Sequence, residues 1–214
     1  MLKAVIFDLD GVISDTQNLH SEIEVAIFRK YGVEVSKKRI NEKYAGVPCK
    51  DFFREIFAQN NISTDIEKVV KEKQDLMLRR SKGNILPMPG ALKLIAEADQ
   101  RGLGMAVATS SPKKLADLIL TELDLTNVFK TVVTIEDVKN GKPDPEIFLL
   151  AAKKLGVKPQ ECIVIEDGRS GMLAAKRAGM RCVGLVKDKS KKDYSADILV
   201  ESLNEINDEK IYQH

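Results

Sequence analysis

The sequence predicts an α/β fold, a doubly wound and mostly parallel sheet that carries an inserted all-helical domain. Three observations lead there. Short aliphatic and β-branched runs recur along the chain, helix-length amphipathic stretches separate most of them, and one long interval from Thr16 to Leu86 holds helical patterns alone. Parallel strands need crossovers about as long as a helix, so the alternation implies parallel pairing with both sheet faces covered.

The elements follow in order. Ala4 to Leu9 is a strand whose polarity gathers at its end, in Asp8, Asp10 and Gly11, as expected of a buried strand meeting a loop. Leu19, Ile23, Ala26 and Ile27 then repeat at helical spacing up to Gly32, and Phe52, Phe53, Ile56 and Phe57 do the same up to Asn60-Asn61. Thr64-Asp65-Ile66-Glu67 reads as a capping box opening a helix over Val69, Val70, Lys73 and Met77. Pro87-Met88-Pro89-Gly90 marks the return. Beyond it, helices over Leu92 to Ala98, Leu115 to Ile119 and Phe148 to Leu155 alternate with strands at Met105 to Ala108, Thr131 to Ile135 and Cys162 to Ile165. Proline near the helix starts and Gly102 or Gly156 past their ends supply the punctuation. A helix beginning near Ser170 and strands at Cys182 to Val186 and Ile198 to Val200 complete the set. The expected division is a core of residues 1–15 and 87–214 and a helical cap of residues 16–86.

Composition narrows the function. With 214 residues, 43% of them hydrophobic, the chain can fill one core plus an insert, which excludes a disordered or fibrous protein. Lys and Arg number 34 against 32 Asp and Glu, a net +2 without a single-sign field, and only 5% of residues are aromatic. No nucleic-acid partner is expected from such a surface, and no obligate protein partner is evident. Cys49, Cys162 and Cys182 are widely spaced and lack a histidine cluster, so they read as reduced thiols of a cytoplasmic protein. The first apolar run meets Asp8 before a signal-peptide core could form, and no run is long enough to span a bilayer.

In an open parallel sheet, ligands bind beyond the carboxyl ends of the strands. The first strand delivers Asp8 and Asp10 there, the second Thr109-Ser110-Ser111, the loop after the third Lys142, and the fourth Glu166-Asp167. These are the groups that phosphoryl transfer needs. An attacking carboxylate such as Asp8 is repelled by an anionic phosphoryl group unless a cation and a lysine offset both. Asp8, Glu166 and Asp167 are candidate Mg²⁺ ligands, because Mg²⁺ favours oxygen donors. Thr109, Ser110 and Lys142 are candidates to grip phosphoryl oxygens. Asp10 is the candidate acid and base, its pKa expected to rise beside a second carboxylate. Thr109 to Ser111 and Glu166-Asp167 also suit helix caps, and Lys142 suits an exposed loop, but all four sets fall after successive strands. Other motifs fail: an EF-hand counted from Asp8 would meet Val12 and Leu19 where it needs acidic ligands, and Gly141-Lys142 lacks the remainder of a P-loop.

Phe7-Asp8-Leu9-Asp10-Gly11-Val12, Thr109, Gly141-Lys142-Pro143-Asp144-Pro145 and Ile165-Glu166-Asp167 resemble, in order and spacing, the four motifs of the haloacid dehalogenase superfamily. The resemblance implies a Rossmann-like core, Asp8 as nucleophile and metal ligand, and Asp10 as acid/base that also binds Mg²⁺ through its carbonyl. It implies Thr109 and Lys142 as phosphoryl binders and Glu166 and Asp167 as the remaining metal ligands. The insert is similar to the cap of the subgroup that holds β-phosphoglucomutase, phosphoglycolate phosphatase and many sugar phosphatases. Thr16 and His20 resemble the mutase pattern near the cap hinge, though His20 equally suits a helix-packing role. In the cap loop, Gly46-Val47 matches the mutase, but Ala45 and Cys49 stand where the mutase has Lys and Arg; Lys50 is the candidate substitute, as a point charge. The expected function is therefore a phosphatase acting on a small phosphorylated metabolite. A β-phosphoglucomutase is the alternative and a receiver-like phospho-Asp module a remote one.

Overall fold

A computed structural model describes residues 1–44, 47–190 and 193–207. Six strands among them form one parallel sheet in the order β3-β2-β1-β4-β5-β6. They are β1 (Ala4–Phe7), β2 (Gly104–Ala108), β3 (Thr131–Val133), β4 (Cys162–Glu166), β5 (Arg181–Leu185) and β6 (Ile198–Val200). Helices α1 (Gln17–Lys30), α2 (Lys37–Lys43), α3 (Cys49–Gln59) and α4 (Ile66–Ser81) all lie between β1 and α5 (Ala91–Gln100). α6 (Lys113–Glu122), α7 (Glu146–Leu155) and α8 (Arg169–Arg177) alternate with the later strands.

The strands are largely apolar because both faces are buried, with Thr131, Glu166 and Arg181 at strand ends. Val5 and Phe7 of β1, with Val107, Ile163, Ile165 and Val183, pack on one side against α5 and α6. Their alternates Ala4, Ile6, Ala106, Val164 and Cys182 pack on the other against Ile147, Phe148 and Ala151 of α7 and Met172 and Ala175 of α8. The sheet is thus doubly wound, as the alternation predicted. β1 is central: Ala4 stands opposite Gly104 on one side and Cys162 on the other. No helix among the described residues is long and apolar enough to cross a membrane.

The segment between β1 and α5 has an aromatic centre, with Phe28 lying 5.0 Å from Phe53 and 5.3 Å from both Phe52 and Phe57, ring centroid to ring centroid. The chain enters and leaves it side by side: Asp15 N–H donates to Leu86 O, Met88 N–H donates to Ile13 O, and Ser14 bridges Pro87 antiparallel.

Three local expectations are corrected. Helix α2 has no counterpart in the sequence reading, because Ile40 is its lone apolar side chain; Ser36 caps it by accepting from Arg39 N–H at 3.2 Å. The cap of α4 is Asp65 rather than Thr64: its carboxylate accepts from Glu67 N–H at 3.0 Å and Lys68 N–H at 3.4 Å, and a charged acceptor suits the positive helix end. The third strand stops at Val133 instead of Ile135, because Thr134 and Asp137 cap a short 3₁₀ turn over Ile135–Asp137.

Candidate active site

Parallel register builds the site. Phe7 stands between Val107 and Ile165, so the residues that follow, Asp8, Ala108 with Thr109, and Glu166, emerge side by side at the carboxyl edge. Asp8 N–H extends the ladder to Ile165 O, and Thr109 N–H does so to Val133 O, both at 2.9 Å.

Lys142 comes up from the loop after β3 beneath Asp8, and its side chain is only 1% exposed. Its ammonium donates to Asp8 Oδ1 at 2.6 Å, Glu166 Oε2 at 2.8 Å and Ala108 O at 3.1 Å, which uses all three N–H bonds. Burial works against this charge, and Asp8 and Glu166 more than offset it, so its pKa is raised. Glu166 is held at both oxygens, its Oε1 accepting from Asp167 N–H and Gly168 N–H at the start of α8. A Cβ at Gly171 would run into that carboxylate. Gly171→Ala is therefore expected to lower stability by about 1–3 kcal/mol, as overpacking does, and to weaken divalent-cation binding; denaturant unfolding with and without Mg²⁺ reads both.

Asp8, Glu166 and Asp167 each present a carboxylate oxygen, all within 4.8 Å of one another. Burial raises the Asp8 pKa to about 8, with Glu166 adding to the rise and Lys142 opposing it. Burial, Glu166 and Asp8 likewise push Asp167 well above the carboxylate range. Three carboxylates crowded on one lysine form a hard-oxygen donor set short of positive charge, which fits a divalent cation such as Mg²⁺. Gly11 admits this arrangement. Its φ is +87°, and a Cβ there would meet the Asp167 carboxylate.

Asp10 reverses its expected shift. Burial favours the neutral acid, but His20, Ser111 and Thr16 together outweigh it and hold Asp10 well below the usual range. His20 Nε2 lies 3.0 Å from Oδ1, Thr16 Oγ1 donates to the same oxygen at 2.5 Å, and Ser111 Oγ donates to Oδ2 at 2.6 Å. The neighbouring carboxylate was expected to dominate; the charge interaction with His20, with the hydrogen bonds around Asp10, does so instead.

Asp8, Asp10, His20, Thr109 and Ser110 line a cavity of about 80 Å³. Its far wall belongs to the helical segment, where Glu24, Cys49 and Lys73 face in. Lys142 and Glu166 sit behind Asp8, and Thr16 is buried behind Asp10. Lys50 is not brought to the cavity: its side chain is half exposed and pairs with Glu67. Gly46 lies outside the described residues. Sequence reasoning missed Gln17, whose Nε2 donates to Asp10 O at 3.2 Å and Asp167 Oδ2 at 3.1 Å, and the role of Ser111. Hydroxyls and amides select partners only in three dimensions.

Comparison with known proteins places this geometry. A model of the haloacid dehalogenase-like hydrolases matches residues 5–185. A validoxylamine A 7'-phosphate phosphatase of Streptomyces hygroscopicus subsp. limoneus is 30% identical over 207 residues, covering 96% of each chain. A phosphorylated carbohydrates phosphatase of Thermotoga maritima is 34% identical over 186 residues, covering 86% of each. The crystal structure of a β-phosphoglucomutase from Clostridium difficile superposes with a TM-score of 0.86 at 30% identity, covering 99% of this chain and 96% of the other.

Proposed function

The chain belongs to the haloacid dehalogenase-like hydrolase family, and from that premise we propose that it is a Mg²⁺-dependent phosphatase of small sugar phosphates, working through a phosphorylated Asp8. The observation that carries this reading is Asp8 itself, a carboxylate open to the cavity and pinned from behind by Lys142. We take residues 16–86 as the cap that covers the cavity, and residues 1–15 with 87–214 as the core that carries the chemistry.

Asp8, Glu166 and Asp167, with the Asp10 carbonyl, would hold the Mg²⁺, whose charge would offset the repulsion between Asp8 and an anionic phosphoryl group. Lys142 fixes Oδ1 of Asp8 and leaves Oδ2 to attack phosphorus. Thr109 and Ser110 face the phosphoryl oxygens. As the ester bond to phosphorus breaks, Asp10 gives a proton to the leaving oxygen; it then takes one from the water that splits the aspartyl-phosphate, so the enzyme ends as it began.

The test is phosphate release from a panel of sugar phosphates with Mg²⁺ or with EDTA. Release with Mg²⁺ and none with EDTA is expected, and release indifferent to EDTA overturns the metal requirement. Saturating Mg²⁺ is also expected to stabilise the fold, by about 2.7 kcal/mol at 100-fold over its Kd, which a thermal shift reads without any turnover. The mutase reading is disfavoured by Cys49 at the cavity wall and by Lys50 turned outward to Glu67. Conversion of β-glucose 1-phosphate to glucose 6-phosphate without phosphate release would restore it. Two buried free thiols, Cys162 and Cys182, suit a reducing cytoplasmic setting.

A further inference from the structure

The far wall of the cavity carries a buried ion pair that the proposed chemistry does not use. Glu24 of α1 and Lys73 of α4 meet at 2.9 Å, with side chains 9% and 10% exposed, and both line the cavity that holds Asp8 and Asp10. Each occupies an apolar stripe: Glu24 is buried among Ile23, Ile27 and Phe28, and Lys73 between Val69 and Met77. Tying α1 to α4 does not require it. Lys30 and Glu72 already link the same two helices at 2.8 Å in the open, where ion pairing costs little desolvation. A buried pair is often no more stabilising than apolar side chains of the same volume. Its position on a cavity wall is where such groups can serve a ligand.

We infer that Glu24 and Lys73 form a neutral, hydroxyl-reading subsite that selects substrates with an uncharged polyol tail and rejects tails bearing a carboxylate or a second phosphate. This rests on the phosphatase reading, which puts the phosphoryl group at Asp8. The contact engages one carboxylate oxygen, Oε1, and an ammonium has three N–H bonds, so the pair can accept from one hydroxyl and donate to another. An anionic tail would face the Glu24 carboxylate, and among the described residues that line the cavity the basic side chains are Lys73, paired to Glu24, and His20, paired to Asp10. Cys49 adds no charge of its own, since burial pushes its thiol up to about 11 and keeps it neutral. Lys50 is engaged with Glu67 on the outer face.

The experiment measures kcat/KM for Mg²⁺-loaded enzyme on neutral sugar and alditol monophosphates, on 6-phosphogluconate and fructose 1,6-bisphosphate, and on acetyl phosphate, which has no hydroxyl. The neutral monophosphates are expected to exceed the doubly anionic substrates by at least about 10-fold, the discrimination a few polar contacts supply. Glu24→Gln is expected to shrink that ratio at least about fivefold, chiefly through KM. If the variant fails to fold, the wild-type panel alone decides. Turnover of acetyl phosphate with no preference between tails, or a ratio unmoved in a folded Glu24→Gln, overturns this inference and leaves the phosphatase standing. No phosphate from any substrate, acetyl phosphate included, overturns both.

Discussion

Asp8→Asn is expected to lower kcat by about 10⁴-fold or more, the scale on which enzymes lose rate when a covalent nucleophile is removed, while the protein stays folded. An amide cannot attack phosphorus to give an acyl phosphate that water can then split, so no second route through this side chain remains. The fold should tolerate the change for a reason visible in the site. Asp8 is buried against Glu166, and its charge is poorly accommodated, whereas Lys142 keeps Glu166 and the Ala108 carbonyl as partners after the substitution. Phosphate release and thermal unfolding, measured on the same preparation, separate the two effects. Undiminished turnover by a folded Asp8→Asn would falsify the assignment of the nucleophile.

Lys142→Met is expected to be the costliest change to stability, at about 3–5 kcal/mol in EDTA, because it strands Asp8 and Glu166 as buried carboxylates without their counter-ion. Methionine nearly preserves the side-chain volume, so little of this loss comes from a cavity. Mg²⁺ is expected to restore part of it, since a cation held by the same carboxylates relieves the same repulsion, and turnover is expected to stay low even then. Urea unfolding in EDTA and in Mg²⁺ measures both numbers. A loss below about 1 kcal/mol, the typical effect of an unexceptional substitution, would mean that the carboxylates are neutral without the lysine.

The sheet was legible in the sequence because a strand buried on both faces has no polar positions to blur it: Ala4-Val5-Ile6-Phe7 and Cys162-Ile163-Val164-Ile165 read as continuous apolar runs. Helix α2 was not, since one isoleucine among seven residues carries no period. Asp8, Thr109, Lys142, Glu166 and Asp167 were legible for a topological reason, namely that each ends or follows a strand and parallel strands end on one edge. The pKa order of Asp8 and Asp10 was not, because it depends on burial and Glu166 beside one and on His20, Ser111 and Thr16 around the other. Lys73 did leave a trace. A lysine falling in the apolar stripe with Val69 and Met77 is a buried charge announced in advance, and only its partner required the structure.

The central position of β1 has a consequence for how the protein is made. Its first residue to pair, Ala4, finds one neighbour at Gly104 and the other at Cys162. During synthesis the strand emerges before the other five, and its second edge stays open until β4 has followed. The helices α1 to α4 meet one another locally and can assemble in that interval, while Ala4-Val5-Ile6-Phe7 waits as an unpaired apolar edge. The nascent chain is thereby exposed to intermolecular strand pairing for longer than any later segment. Slow translation ahead of β4 is expected to lower yield far more than it alters the finished enzyme.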